Sequence, residues 1–407
     1  MMNRKLIVMM AALCAALLIS GCWNRRELND IAIVAAIGID KRENGYLVTI
    51  QAVDPGEVAS RQSDSGRPPV TTYYATGGSV IEAIRKMTTI TPRKPYFAHL
   101  RILVIGEEMA RSGIADILDV FSRDQEARTD FYIVAANGQE AREVLNVLTP
   151  LEKIPAGKMY KSLEVTERSW APTVAVQLDE LLRNLVDKGR DPVLTGIQTW
   201  GHESAKSAGT NSDKMDAPLD LKYRGIGVLK GDKLIGWLNL IESKGFSDIT
   251  NRLQSTVIET DCPSGGKMTL EIIRSRSKIK GRLKDGRPEI DVYTKAEANV
   301  AEVSCRMKLM ELGSIAELER KAEDVMKSNA EQAVSKAKRL GSDIFGFGEA
   351  VHRANPRYWN RVKDDWDKHF KQIPVRLHIH VQIKRVGTVG DSFMLQMKKS
   401  SGIMSSP

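Results

Sequence analysis

The sequence is short of most of what announces an activity. It carries no G-x-S-x-G elbow, no H-E-x-x-H pair and no phosphate-binding P-loop, and Gly225 and Gly227 lack the third glycine of a dinucleotide fingerprint. No catalytic residue is assigned and no enzyme is expected. Glycine (31) and proline (15) are too few among 407 residues for collagen-like or low-complexity architectures. Cysteine is rarer still, at four. Long apolar runs are missing: Leu6–Ile19, 14 uncharged residues, covers about 21 Å as a helix, short of the ~30 Å hydrocarbon core. A polytopic membrane protein does not fit. The basic excess is mild, a formal +9, with no concentrated basic block along the chain. Such a bias suits a surface near anionic lipid, and nucleic acid is not expected as a partner. What remains, 42% hydrophobic and 27% charged residues, is ordinary globular composition with chain enough for about two to four domains.

The N-terminus sets the compartment. A basic Met1–Lys5, the apolar run and the small residues after it describe an export signal. Ile19-Ser20-Gly21-Cys22 resembles the bacterial lipobox, in which small side chains admit the extended backbone to a peptidase cleft and the cysteine thiol is acylated. Residues 1–21 are therefore expected to be removed and Cys22 to carry lipid. Two or more acyl chains make a stable anchor where one chain is marginal. Cys14 leaves with the signal, so Cys262 and Cys305 remain, with neither a CxxC spacing nor a nearby His pair to suggest zinc. An exported chain permits a disulfide; two separate buried thiols are the expectation.

Hydrophobic patterning predicts an α+β (mixed α/β) protein with mixed sheets and packed helices. Ile31–Ile39 and the alternating Tyr46, Val48 and Ile50 read as a hairpin around Lys41–Gly45, and Asp54–Pro69 as a surface loop. Ser79 and Glu82 have capping-box spacing before a helix. Strands at His99–Ile105, Phe131–Ala136 and Val193–Thr199 alternate with helices at Ile114–Phe121, Gln139–Leu148 and Val176–Val186. Beyond Gly201–Lys222, rich in Gly, Ser, Asp and Lys, come a hairpin turning at Gly231-Asp232 and strands at Lys267–Ile273, Ser277–Leu283 and Glu289–Val303, with turn chemistry at Asp285-Gly286. Ser314 and Glu317 open a long helix stopped by Gly341, a second helix carries Trp359, Val362, Trp366 and Phe370 on one side, and Val375–Ile383 alternates strictly. The expected division is a signal at 1–21, an N-terminal α/β domain at 22–200, a linker or loop at 201–222, a middle β-rich domain at 223–284, a C-terminal α/β domain at 285–390 and a polar tail at 391–407.

Few residues are candidates for chemistry. His378 and His380 share a strand face and could reach one metal, but a half-exposed sheet face explains them, and neither metal nor cofactor is expected. Glu107, Glu108, Asp364, Asp365 and Asp367 read as solvated helix charges, and Trp359, Trp366 and Phe370 as core. Phe345, Gly346, Phe347 and Gly348 form the one turn singled out. Glycine allows torsions there that a Cβ resists, so the turn either fixes the angle between the long helix and the Trp359–Trp366 helix or exposes part of itself to dock a partner.

Taken in order, several stretches resemble the Ger(x)C family of spore germination lipoproteins. They are Cys22-Trp23-Asn24 with Glu27, Gly38-Ile39-Asp40, Phe97–Arg101 with Val104–Glu108, Lys230–Lys233 running into Gly236-Trp237-Leu238, and Gly341–Glu349 followed by Pro356, Trp359 and Trp366. Asn24 stands where members often have Asp. The resemblance implies an extracytoplasmic lipoprotein of three mixed α/β domains, the C subunit of a nutrient germinant receptor. It would sit on the outer face of the inner spore membrane with two integral membrane subunits of A and B type. It implies no catalytic residue. A solute-binding lipoprotein of an importer would share the anchor but show two similar lobes around a cleft, and an anchored cell-wall hydrolase would show a carboxylate pair or a metal triad.

Overall fold

The computed structural model describes Arg4, Lys5, Met9 and residues 30–385, apart from 60–67, 127, 150–151, 202–218, 263–264, 305–308 and 310–311. Cys22, Cys305, the polar tail and all but three residues of the signal segment lie outside the described residues. Among the described residues no helix is long and apolar enough to cross a membrane.

The expected first hairpin is β1 (Ile31–Arg42) and β2 (Gly45–Val53), closing at Arg42 and Gly45. Part of the expected loop after it is a short helix, α1 (Pro55–Ala59). Then come β3 (Val70–Gly77), α2 (Val80–Met87), β4 (Lys94–Tyr96) and β5 (Ile102–Ile105). Ser79 Oγ accepts from the Glu82 N–H at 3.1 Å, while Glu82 reaches back to the N–H of Gly78, not Ser79. Strand β5 is shorter than the expected His99–Ile105 because the Leu100 N–H turns back to Phe97 O at 3.0 Å. Next are α3 (Glu107–Ser112), α4 (Ala115–Arg123), β6 (Tyr132–Ala136), α5 (Ala141–Leu145), α6 (Pro155–Ser169) and α7 (Leu178–Val186). Strands β7 (Val193–Gly201), β8 (Leu219–Lys230) and β9 (Lys233–Leu238) complete the first sheet.

That sheet has the order β3-β2-β1-β5-β6-β7-β8-β9, with β4 paired to the start of β1. Strands β1, β5, β6 and β7 are parallel, and the flanking pairs are antiparallel. Helices cover both faces. Ile102 and Val104 join the α5 and α6 side with Val144, Met159 and Leu163, while Leu103 and Ile105 join the opposite core with Met87, Leu118 and Leu181. Burial on both faces explains why these strands read as continuous apolar runs.

Helix α8 (Leu240–Ile249), β10 (Thr256–Asp261), β11 (Lys267–Lys284) and β12 (Arg287–Val303) lead to α9 (Leu312–Leu340). The second sheet runs β10-β11-β12-β13, where β13 (Val375–Arg385) adds in parallel to β12. Two expected strands prove to be one, β11, because a bulge at Ile272/Arg274 lets the ladder with β12 continue past the polar Arg274–Ser277. The Asp285-Gly286 turn has φ of +49° and +76°, as a two-residue hairpin loop requires. Helix α9 starts at Leu312, two residues before Ser314, so Ser314 is inside it and not its cap.

Two expectations about organisation change. Residues 223–284 form no sheet of their own: β8 and β9 belong to the first sheet and β11 to the second. Strands β7 and β8 pair out to Gly201 and Leu219, so the interval 201–222 does not divide that sheet. The main core likewise crosses it, with Ile37, Leu103 and Ile133 in one cluster with Ile226, Ile344, Phe345, Trp359 and Phe370. Cys262 is disulfide-bonded, which replaces the expected separate thiol; its partner lies outside the described residues.

Candidate functional site

The singled-out turn is a joint between distant parts of the chain. Gly341, at φ +72°, ends α9, and its N–H and that of Ser342 both donate to Ala337 O, at 2.8 and 3.2 Å. Ser342 Oγ then donates to Leu229 O on β8 at 2.7 Å. Asp343, 1% exposed, collects five N–H donors. Its Oδ1 accepts from the backbones of Phe345, Gly346 and Phe347 at 3.1–3.2 Å, and its Oδ2 from Gly348 N and Trp366 Nε1, each at 2.8 Å. Those bonds bend the backbone into the start of α10 (Phe347–Ala354). Burial raises the Asp343 carboxyl to about 6 against the pull of its donors.

The other half of the joint is the loop before β7. Asp191 N–H donates to Asp343 O at 2.8 Å, and Asp191 Oδ2 accepts from Asp343 N at 2.9 Å and from Lys230 Nζ at 3.0 Å. Arg190 donates to Phe345 O at 3.2 Å and pairs with Glu349 at 3.3 Å. At the centre the backbones meet: a Cβ on Gly348 would stand 2.6 Å from Gly189 Cα and 2.8 Å from Trp359 Cη2. Gly346, at φ +76°, faces the Arg190 guanidinium as closely.

Residues 341–348 are all buried, so Phe345 and Phe347 are not offered to a partner. The rings stack on each other at 5.0 Å, with Phe246 at 5.8 Å from Phe345 and Phe370 at 6.1 Å from Phe347. Trp359, Trp366 and Phe370 are core residues, but not on one helix. They belong to α11 (Pro356–Val362) and α12 (Trp366–Gln372), separated by a 3-10 turn at Lys363–Asp365. With every Asp343 lone pair facing a donor and the rings closing the space, the arrangement holds a backbone and offers no accessible base.

A second buried carboxylate lies at the carboxyl ends of the parallel strands. Asp40, closing the Gly38-Ile39-Asp40 stretch, accepts from the N–H groups of Ala141 at 2.7 Å and Arg142 at 3.0 Å and so caps α5. Burial raises it to about 6. Gly106 must be glycine, since a Cβ there would stand 2.0 Å from Asp40 Oδ1. Glu107 is not the solvated charge expected. It accepts from Gly138 N–H, from Arg111 and from Trp237 Nε1 at 3.3 Å. Burial opposes its charge, but these donors prevail and hold the carboxyl below its usual range. A charged hollow of about 430 Å³ opens between Arg42, Glu107, Arg111 and Glu140. Beside it lies a larger groove of about 1040 Å³, lined by Trp170, Trp200 and Trp237 with Lys222 and Arg224.

The remaining candidates are spread over surfaces. His378 Nε2 lies 2.9 Å from Asp291 and His380 Nδ1 3.1 Å from Glu323, so the two rings meet different carboxylates. Among the described residues no cluster of three His, Cys, Asp or Glu could hold a metal. Glu108 is exposed, and Asp364, Asp365 and Asp367 are exposed and pair with Lys188, Lys368 and Lys230. Sequence reasoning missed Arg190, Asp191 and the role of Asp343, because their partners lie some 150 residues away (|i−j| of 152 for Asp343 and Asp191) and no local pattern marks them.

Comparison with known proteins matches the two sides of this joint to two family models. The model described as "Spore germination protein N-terminal domain" covers residues 24–199, and that described as "Spore germination B3/ GerAC like, C-terminal" covers 224–387. Spore germination protein KC of Bacillus subtilis is 30% identical over 98% of this chain and 100% of its own. Spore germination protein B3 of the same organism is 25% identical over 94% and 96%. The crystal structure of the GerBC protein shares the fold, with a TM-score of 0.53 and 22% identity over 85% of this chain and 96% of that one. Gly189 and Gly348 thus come from different matched segments, and the chain belongs to the B3/GerAC family of spore germination proteins.

Proposed function

We propose that this chain is the non-catalytic, lipid-anchored C subunit of a nutrient germinant receptor. It would be held on the outer face of the inner spore membrane through acylated Cys22 and assembled with two integral membrane subunits of A and B type. The observation that carries this reading is the near full-length likeness to spore germination protein KC, through both family segments. The Ile19-Ser20-Gly21-Cys22 run after a short apolar segment supports the anchor. The buried, donor-saturated Asp343 joint supports a role in scaffolding over chemistry.

Replacing Cys22 tests the reading. Cys22→Ala protein is expected to stay unprocessed or leave the membrane fraction, and spores carrying it to germinate poorly in nutrients. Affinity purification of the wild type from spore inner membranes is expected to bring down two polytopic subunits. Detergent partitioning of Cys22→Ala equal to wild type, with an unmodified N-terminus, would remove the anchor. Recovery of a small solute without polytopic partners would favour the importer reading.

A further inference from the structure

The outward face of the second sheet concentrates the positive charge of the molecule. From Arg274 to the hairpin turn, every second residue of β11 is a cation: Arg274, Arg276, Lys278, Lys280, Arg282 and Lys284, all exposed. Their cross-strand neighbours on β12 add Lys295 and Arg287, and β13 adds Arg376 and Lys384 with His378 and His380. Glu289, Asp291 and Glu297 of these strands oppose them, with Glu323 of α9 beside His380 at 3.1 Å. Ten Lys or Arg against four carboxylates leave it at +6, against +9 for the whole chain. The carboxylates are already engaged: Arg282 and Arg376 share Glu289 and Asp291, and Lys384 lies 3.6 Å from Glu297. Arg274, Arg276, Lys278, Lys280, Lys284 and Lys295 have no ion pair among the described residues.

We propose that this face lies against the anionic headgroups of the bilayer and sets the orientation of the molecule on it. The row on β11 spans about 33 Å at ~3.3 Å per residue, an array with no apolar centre of the kind a protein interface is built around. Its aromatic residue, Tyr293, is 40% exposed, stacks on His378 at 4.7 Å and carries Lys280 over its ring at 5.0 Å. A phenol among cations is the composition of the lipid–water boundary. Charge of this kind attracts a diffuse layer of phosphates. The inference rests on reading the chain as bilayer-anchored: the acyl group would keep it at the membrane, and the basic face would decide which side turns down.

Vesicle sedimentation tests it without the acyl chain. The mature chain carrying Cys22→Ser is mixed with vesicles of phosphatidylcholine alone or with 30% phosphatidylglycerol. Binding is expected only to the anionic vesicles, falling steeply between about 0.1 and 0.5 M salt as the Debye length shortens. The triple variant Arg274→Gln, Arg276→Gln, Lys278→Gln is expected to bind on the order of 100-fold more weakly, at about five-fold per charge, with an unchanged melting temperature. A control triple at the exposed Lys233, Lys327 and Arg357 is expected to bind as wild type. Equal binding to both vesicle types, no binding to either, or equal losses in the two triples would overturn the proposal. Loss of polytopic partners from the first triple without any vesicle binding by wild type would assign the face to an acidic protein instead. The vesicle outcomes depend neither on acylation nor on receptor assembly, so Cys22→Ala can fail or succeed separately.

Discussion

At the scale of single residues, the molecule places carboxylates where water cannot reach them. Asp248 on α8 is 3% exposed and accepts from the hydroxyls of Ser275 at 2.9 Å, Ser277 at 3.5 Å and Thr294 at 3.4 Å. Burial raises it to about 6, as it does Asp40 and Asp343. A carboxyl whose folded pKa lies above its unfolded 3.8 binds protons more tightly when folded. Its stabilising contribution is complete below pH 3.8 and is lost as pH rises through about 6. The isosteric Asp248→Asn removes that titration, and the three hydroxyls can bond an amide. Asp248→Asn is therefore expected to melt higher than wild type at pH 7, by the equivalent of about 2–3 kcal/mol, with the gap closing towards pH 4. A melting series over that range checks it; parallel curves for the two proteins would contradict it.

At the scale of elements, close approach decides which helices can cross. Helix α8 meets α9 at Gly245, where a Cβ would stand 2.2 Å from Asn329 O. Gly245→Ala must push the helices apart and is expected to cost about 1–3 kcal/mol, read as a lower midpoint in urea with an unchanged slope. Neither this crossing nor α8 itself was legible in the sequence. Strand β13 was, because its alternation is strict and half-buried, and so were both two-residue hairpin turns, because Gly and Asp accept positive φ. Helix α6 escaped notice: its buried Ala156, Met159 and Leu163 are separated by Gly, Lys, Tyr and Ser, and only Pro155 at its first turn hinted at a start. The basic face was hidden for a related reason. Period-2 spacing interleaves its cations with Ser277, Ile279, Gly281 and Leu283, so the run reads as moderately charged until the strand turns alternate residues outward. The turn at Phe345–Gly348 was legible as a structural or docking turn, but its partners were not, since Gly189 and Asp191 lie some 150 residues away.

At the scale of the whole molecule, one core serves both matched segments. Ile226, Val334, Phe345 and Trp366 pack in the same cluster as Ile37, Leu103 and Ile133, and Phe246 of α8 touches Phe345. Calorimetry is expected to show one cooperative transition, with the van't Hoff and calorimetric enthalpies in agreement. Two resolved transitions would mean that the segments unfold independently. The contact of Gly189 with Gly348 carries this unity into mechanics. Hinges need a few residues free to change φ and ψ, and here two backbones press on each other with a guanidinium, a carboxylate and four phenylalanine rings packed around the joint. Displacing the first sheet against the second would break these contacts. A body joined in this way is expected to answer a push by tilting as a lever, so that a movement of a few degrees at one end arrives at the other as a displacement.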